Sequence, residues 1–149
     1  MAGSSAAASA QDTGPSKRHV YACRVRWSDV DSYGHVNNVK YFEYYQEARI
    51  AFLSELADDP SRDVGRHVVL ARIDVDYRRP IVYRTEPFEV RTWVARVGTS
   101  SYDLEAEIKD GEVVLSRAHA VVVAFDRDQE RSRRLSDQER GRLEDLLVQ

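Results

Sequence analysis

The chain of 149 residues holds one cysteine, one methionine and four prolines. With Cys23 alone, it can build no intramolecular disulfide, no thiolate zinc site and no CxxC redox centre. A reducing, cytoplasmic setting is the expectation. No run of about 18 apolar residues occurs, so no membrane-spanning helix is expected. An excess of one charge is also missing. Lys and Arg number 22 against 25 Asp and Glu, a formal net charge of -3, and nothing in that balance calls for nucleic acid or an anionic membrane as partner. The opening stretch MAGSSAAASAQDTGPSK carries no Lys or Arg before Lys17 and no Leu, Ile, Val or Phe. It does not resemble a secretory signal and reads as a flexible tail over residues 1–18.

What is present is enough apolar material for one soluble domain: 42% hydrophobic and 32% charged residues. His19 to Trp27 alternates and predicts a strand. From Val39 onward Phe42, Tyr45, Ala48, Phe52, Leu53 and Leu56 recur at spacings of three and four, the stripe of a long amphipathic helix. Asn37 or Asn38 can cap its start, and DDPSRDVG, Asp58 to Gly65, breaks it. Val69, Ala71, Ile73, Val75 and Tyr77 then alternate with charged residues, a half-buried strand that Pro80 stops. Phe88 to Val97 is a further extended run. Tyr102 to Ile108 alternates up to Asp110-Gly111, a hairpin turn, and Glu112 to Phe125 is apolar on nearly both faces, as in a covered sheet. Ser136 and Glu139 fit a capping box for a short helix bearing Leu143, Leu146 and Leu147. No internal repeat appears.

One long helix followed by an antiparallel meander buries its stripe by lying across the concave face of the sheet. Its N-terminus is then held rigidly, and the unpaired N–H groups and positive dipole end point to one fixed place. The polar stretch SDVDSYGHVNN, Ser28 to Asn38, surrounds that place.

This arrangement resembles the hotdog fold, an α+β architecture in which an antiparallel sheet wraps a long central helix. Arg26-Trp27-Ser28-Asp29-Val30-Asp31, Gly34-His35-Val36-Asn37-Asn38, Tyr41 and Glu47-Ala48-Arg49 are similar to the motif of the 4-hydroxybenzoyl-CoA thioesterase family. The likeness spans about Val20 to Phe125. It implies a hotdog domain over 19–130, with 131–149 as a helical extension, and hydrolysis of an acyl-CoA to a free acid and CoA. The family's catalytic carboxylate falls on Asp31, and its carbonyl-polarising backbone N–H falls at Asn38. Thioester hydrolysis needs both: a base or nucleophile at the carbonyl carbon and a donor where charge develops on oxygen. His35 is a candidate to orient Asp31 or shuttle a proton, and Asn37 and Tyr41 are candidate substrate contacts. Some members place basic residues before a Ser-aromatic pair to hold CoA phosphates, but here Gly98, Thr99 and Ser100 precede Ser101-Tyr102. Arg78, Arg79 and Arg96 are the candidate phosphate partners instead. The resemblance implies no cofactor and a homo-oligomer, dimer or tetramer, with sites at the dimer seam.

Each site residue has a plainer alternative. Asp31 could be an Asx-turn residue, Asp29 a turn cap or partner of Arg26, and His35 a loop or interface histidine. Glu47 and Arg49 suit a structural or interface ion pair, and His119 a satisfied core or interface histidine. Arg127, Arg131, Arg133 and Arg134 suit a solvated surface, and the aromatic cluster Tyr41, Phe42, Tyr44 and Tyr45 suits the core. A metal on Asp29, Asp31 and His35 lacks a regular ligand frame. Two other functions remain open: an enoyl-CoA hydratase pairing Asp31 with His35, and a non-catalytic binder of acyl-CoA or acyl-carrier protein.

Overall fold

A computed structural model describes residues 17–57 and 67–148. The expected tail up to residue 16 and the expected break over Asp58 to Gly65 lie outside the described residues. Strands β1 (His19–Cys23), β2 (Val68–Tyr77), β3 (Phe88–Val97), β4 (Ser101–Asp110), β5 (Val113–Asp126) and β6 (Arg131–Ser132) accompany two helices, α1 (Lys40–Leu56) and α2 (Asp137–Asp145). The strands form one antiparallel sheet in the order β1-β3-β4-β5-β2, with β6 against β5. Helix α1 lies on the face to which the sheet turns Val90, Ile108 and Ala118 beside Tyr41 to Ala48, and Val94, Leu104 and Val122 beside Phe52. This is the hotdog fold. Among the described residues no helix is long and apolar enough to cross a membrane.

Departures from the sequence expectations have local causes. Strand β1 stops at Cys23, because a 3₁₀ turn over Trp27–Asp29 follows, closed by the Asp29 carboxylate on the Arg26 N–H. The buried face of α1 is Tyr41, Tyr44, Tyr45, Ala48 and Phe52, whereas Phe42 is 39% exposed. The tyrosines tolerate burial because their hydroxyls are partnered: Tyr41 with the Ile81 N–H, Tyr44 with Asp29, Tyr45 with Ser116. On β2 a bulge between Leu70 and Arg72 shifts the alternation by one. Val68, Ile73 and Val75 therefore pack inward, while Val69 and Ala71 are exposed.

The expected hairpin is present. Gly111 has φ 58 and no other residue of that turn is left-handed, so glycine takes the first central position, as a II′ turn requires. The capping box also forms: Ser136 Oγ accepts the Glu139 N–H and Glu139 Oε1 accepts the Ser136 N–H. Leu143 of α2 is buried beside Phe52 and Val94, and the Val148 N–H donates to the Val94 carbonyl. Arg133, from the basic run, is bonded through both terminal nitrogens to Glu139.

Candidate active site

The loop ahead of α1 closes on itself. Val30 and Val36 bridge, the Asp31 N–H donates to the His35 carbonyl at 2.8 Å, and the Gly34 N–H donates back to the Asp31 carbonyl at 3.0 Å. Gly34 takes φ 77, a turn that a side-chain-bearing residue adopts only at a cost. Asp31 Oδ1 accepts the Tyr33 and His35 N–H groups at 2.9 and 3.2 Å, so one carboxylate oxygen does make the Asx turn. The other, Oδ2, bonds to none of the described residues, leaving it available to chemistry.

Asn37 organises the helix start. Its side-chain oxygen accepts the Val39 N–H at 3.0 Å and its carbonyl accepts the Lys40 N–H at 2.9 Å. Between these bonds the Asn38 N–H finds no hydrogen-bond partner among the described residues, and it lies two residues ahead of Lys40, next to the positive end of a helix about 25 Å long. The Val36 N–H donates to the Ile81 carbonyl at 2.8 Å, and His35 bridges Val82, which fixes the loop against the chain after β2.

A cleft of about 260 Å³ opens there, lined by Asp31, His35, Asn38, Tyr41, Arg78 and Arg79, with Tyr77 and Pro80. The structure thus brings six of the sequence-predicted residues to one place. Asn37 does not line the cleft, its side chain being committed to the Val39 N–H; the N-cap position itself is Val39, with no side-chain cap, so neither asparagine is the helix's N-cap residue. Arg96 lies away from it, bonded to Asp103 at 2.8 Å and to Ser101. No side-chain hydrogen bond or ion pair engages Arg78 or Arg79 among the described residues, so both guanidiniums are free for an anion.

Tyr77 was not anticipated. Its ring meets Tyr41 edge-on at 4.8 Å between centroids, and its hydroxyl donates to the Asn38 carbonyl at 2.9 Å. In the sequence it is only the last residue of an alternating strand, and nothing local marks it.

Asp29, two positions before Asp31, is 1% exposed. Its Oδ2 accepts the Tyr44 hydroxyl at 2.6 Å and the Arg26 N–H at 3.0 Å, and Arg26 Nη2 stands 3.2 Å from Oδ1. Burial alone would raise its pKa, but the hydrogen bonds from Tyr44 and Arg26 outweigh it and hold the carboxyl below the usual range. The structural alternative for Asp29 is the observed one. Burial, with the charge of Asp29, pushes the Cys23 thiol up to about 12, so the chain's one thiol is no nucleophile here.

His119 is satisfied, its Nε2 lying 2.8 Å from Asp103 Oδ2. Arg49 is half-buried, and that burial lowers its pKa. It forms no ion pair with Glu47 or any other described residue. Among the described residues no group of three or more His, Cys, Asp or Glu is arranged to hold a metal. A larger hollow of about 450 Å³ lies at the far end of α1, between Leu53, Leu56, Tyr102 and Leu143. Its one carboxylate, Glu139, is taken up by Arg133.

A sheet wrapped round one helix, with a carboxylate and an unpaired N–H sharing a cleft at that helix's start, defines a hotdog-fold enzyme. Residues 25–143 match the thioesterase-like superfamily, and the chain belongs to it. It is a thioester hydrolase of the 4-hydroxybenzoyl-CoA thioesterase-like kind. YsmA of Bacillus subtilis strain 168 is 32% identical over 124 residues, covering 80% of either chain. A Bacillus stearothermophilus structure described as a predicted thioesterase superposes with TM-score 0.80 at 26% identity, over 89% of this chain and 98% of that one. A thioesterase of Thermus thermophilus, solved with coenzyme A and zinc, is similar at TM-score 0.71 and 30% identity, over 85% and 92% of the two chains.

Proposed function

We propose that the chain hydrolyses acyl-CoA thioesters, with Asp31 as nucleophile or general base and the Asn38 N–H as oxyanion donor. The observation that carries this is that one cleft is lined by both Asp31, one of whose carboxylate oxygens has no partner among the described residues, and Asn38, whose N–H has none among them. In the direct route Asp31 takes a proton from water, whose oxygen adds to the carbonyl carbon before the C–S bond breaks; in the covalent route Asp31 adds instead, the C–S bond breaks as the mixed anhydride forms, and water then cleaves the anhydride. In both, the thiolate of CoA takes up a proton and the carboxylic acid leaves. Charge that builds on the carbonyl oxygen meets the Asn38 N–H, and one such donor is worth about 3 to 4 kcal/mol in other enzymes. Arg78 and Arg79, unpaired at the rim, suit the phosphates of CoA, and the coenzyme A bound by the Thermus relative favours that carrier. His35 lines the same wall and can pass the proton.

Free-thiol release from a panel of acyl-CoA substrates is the test. Asp31→Asn and Asp31→Ala should each cut kcat by at least about 10³-fold while the far-UV spectrum and melting temperature hold. Near wild-type kcat on the best substrate in either variant would reject the assignment. Loss of enone absorbance from an enoyl-CoA without thiol release would favour hydration instead. A homo-oligomer belongs to the same reading, because β2, whose end supplies Tyr77 and leads to Arg78 and Arg79, has among the described residues a partner strand on one side only.

A further inference from the structure

Asp29 is the only acid among the described residues that is fully buried. Burying a carboxylate is costly, and an apolar residue would hold a loop as well or better. What a buried charge with two donors on Oδ2 and a guanidinium beside Oδ1 does provide is a single geometry, since displacing a donor leaves it unpaired in a medium of low dielectric. Three segments meet on this residue. Tyr44, one turn into α1, donates to Oδ2, Arg26 at the exit of β1 donates through its N–H, and the Asn37 N–H donates to the Asp29 carbonyl at 2.8 Å. Arg26 Nη2 is in turn held by Glu43 at 3.1 Å, on the same helix turn as Tyr44. Asp31 follows Asp29 by two residues, and Asn38 follows Asn37 by one. The distance between the carboxylate and the helix-start N–H is therefore set through Asp29.

We propose that Asp29 and Tyr44 form a positioning pair that holds Asp31 and the Asn38 N–H in register across the cleft, neither touching substrate. This rests on the assignment of those two groups as the reacting ones. Misplacement by about 1 Å can cost on the order of 10²-fold in rate, and a positioning defect falls on kcat, because the groups that bind the carrier are untouched.

Tyr44→Phe removes one hydroxyl and keeps the ring in the core. Assayed well below its melting temperature, it should lose at least about tenfold in kcat with KM for the acyl-CoA within about twofold. Asp29→Asn should do the same, and the double variant should lose no more than the worse single one, because the two act as a unit. Wild-type kcat in Tyr44→Phe, a loss confined to KM, or losses that multiply in the double variant would each overturn the pairing. Should Asp31→Asn abolish turnover while Tyr44→Phe spares it, the pairing falls and the hydrolase assignment stands. A wild-type protein that releases no thiol from any acyl-CoA removes both.

Discussion

Asp29 and Asp31 share a loop and live in opposite surroundings: one sealed under Tyr44 and Arg26, the other exposed at the cleft with one oxygen bonded to none of the described residues. The division is visible in their donors. Asp29 takes a hydroxyl, an N–H and a guanidinium, and its carboxyl lies below the ordinary value as a result. A lowered folded-state pKa means that the native state binds this proton less readily than the unfolded chain does. The stability it contributes is then fully present above the unfolded value, about 3.9, and is lost as pH falls through the depressed folded value. Urea unfolding between neutral pH and about pH 2 should show stability falling from about pH 4 downward. Asp29→Asn should be less stable at pH 7 and show a shallower fall. A fall of equal size in the variant would mean that Asp29 does not supply it.

At the scale of elements, the features legible in the sequence are those built from short-range signals. Asp110-Gly111 marks its own turn, and Ser136 with Glu139 marks its own helix start, because the bonds involved close within three residues. The capping box should be worth about 1 kcal/mol. Ser136→Ala is expected to lower the melting temperature by roughly 3 °C and to leave turnover unchanged, since α2 packs at the end of α1 far from the cleft. Wild-type thermal stability in that variant would show the cap to be redundant with the Arg133–Glu139 pair. The candidate site was legible to the extent that it is contiguous: Asp31, His35, Asn38 and Tyr41, which line one cleft, lie in one stretch whose motif resembles a known family. Tyr77 and the Tyr44–Asp29 bond were not legible, because each joins residues brought together only by the sheet or the helix packing. The bulge on β2 was hidden for a related reason. A perfect alternation in sequence says nothing of an extra residue that the partner strand β5 leaves unpaired.

For the molecule as a whole, the decisive feature is how the sheet ends. Among the described residues strand β2 is an edge, bonded to β5 alone, and Val69 and Leu70 on it are 41% and 43% exposed. An edge of ten residues carrying exposed apolar side chains is a template for another strand. Its C-terminal end is also the wall of the cleft, through Tyr77 and the arginines that follow. A second copy pairing along β2 would cover those side chains and close the open side of the site, joining assembly to activity. Sedimentation at micromolar concentration should give the mass of two chains or a multiple of two. Replacing Val69 and Leu70 together by Lys should shift the mass toward one chain, because two like charges would face their own copies across an antiparallel seam. Thiol release should fall with the dimer fraction and recover as protein concentration is raised. A wild-type mass of one chain with full activity, or a monomeric Lys variant that retains wild-type kcat, would show that the cleft is complete within a single chain.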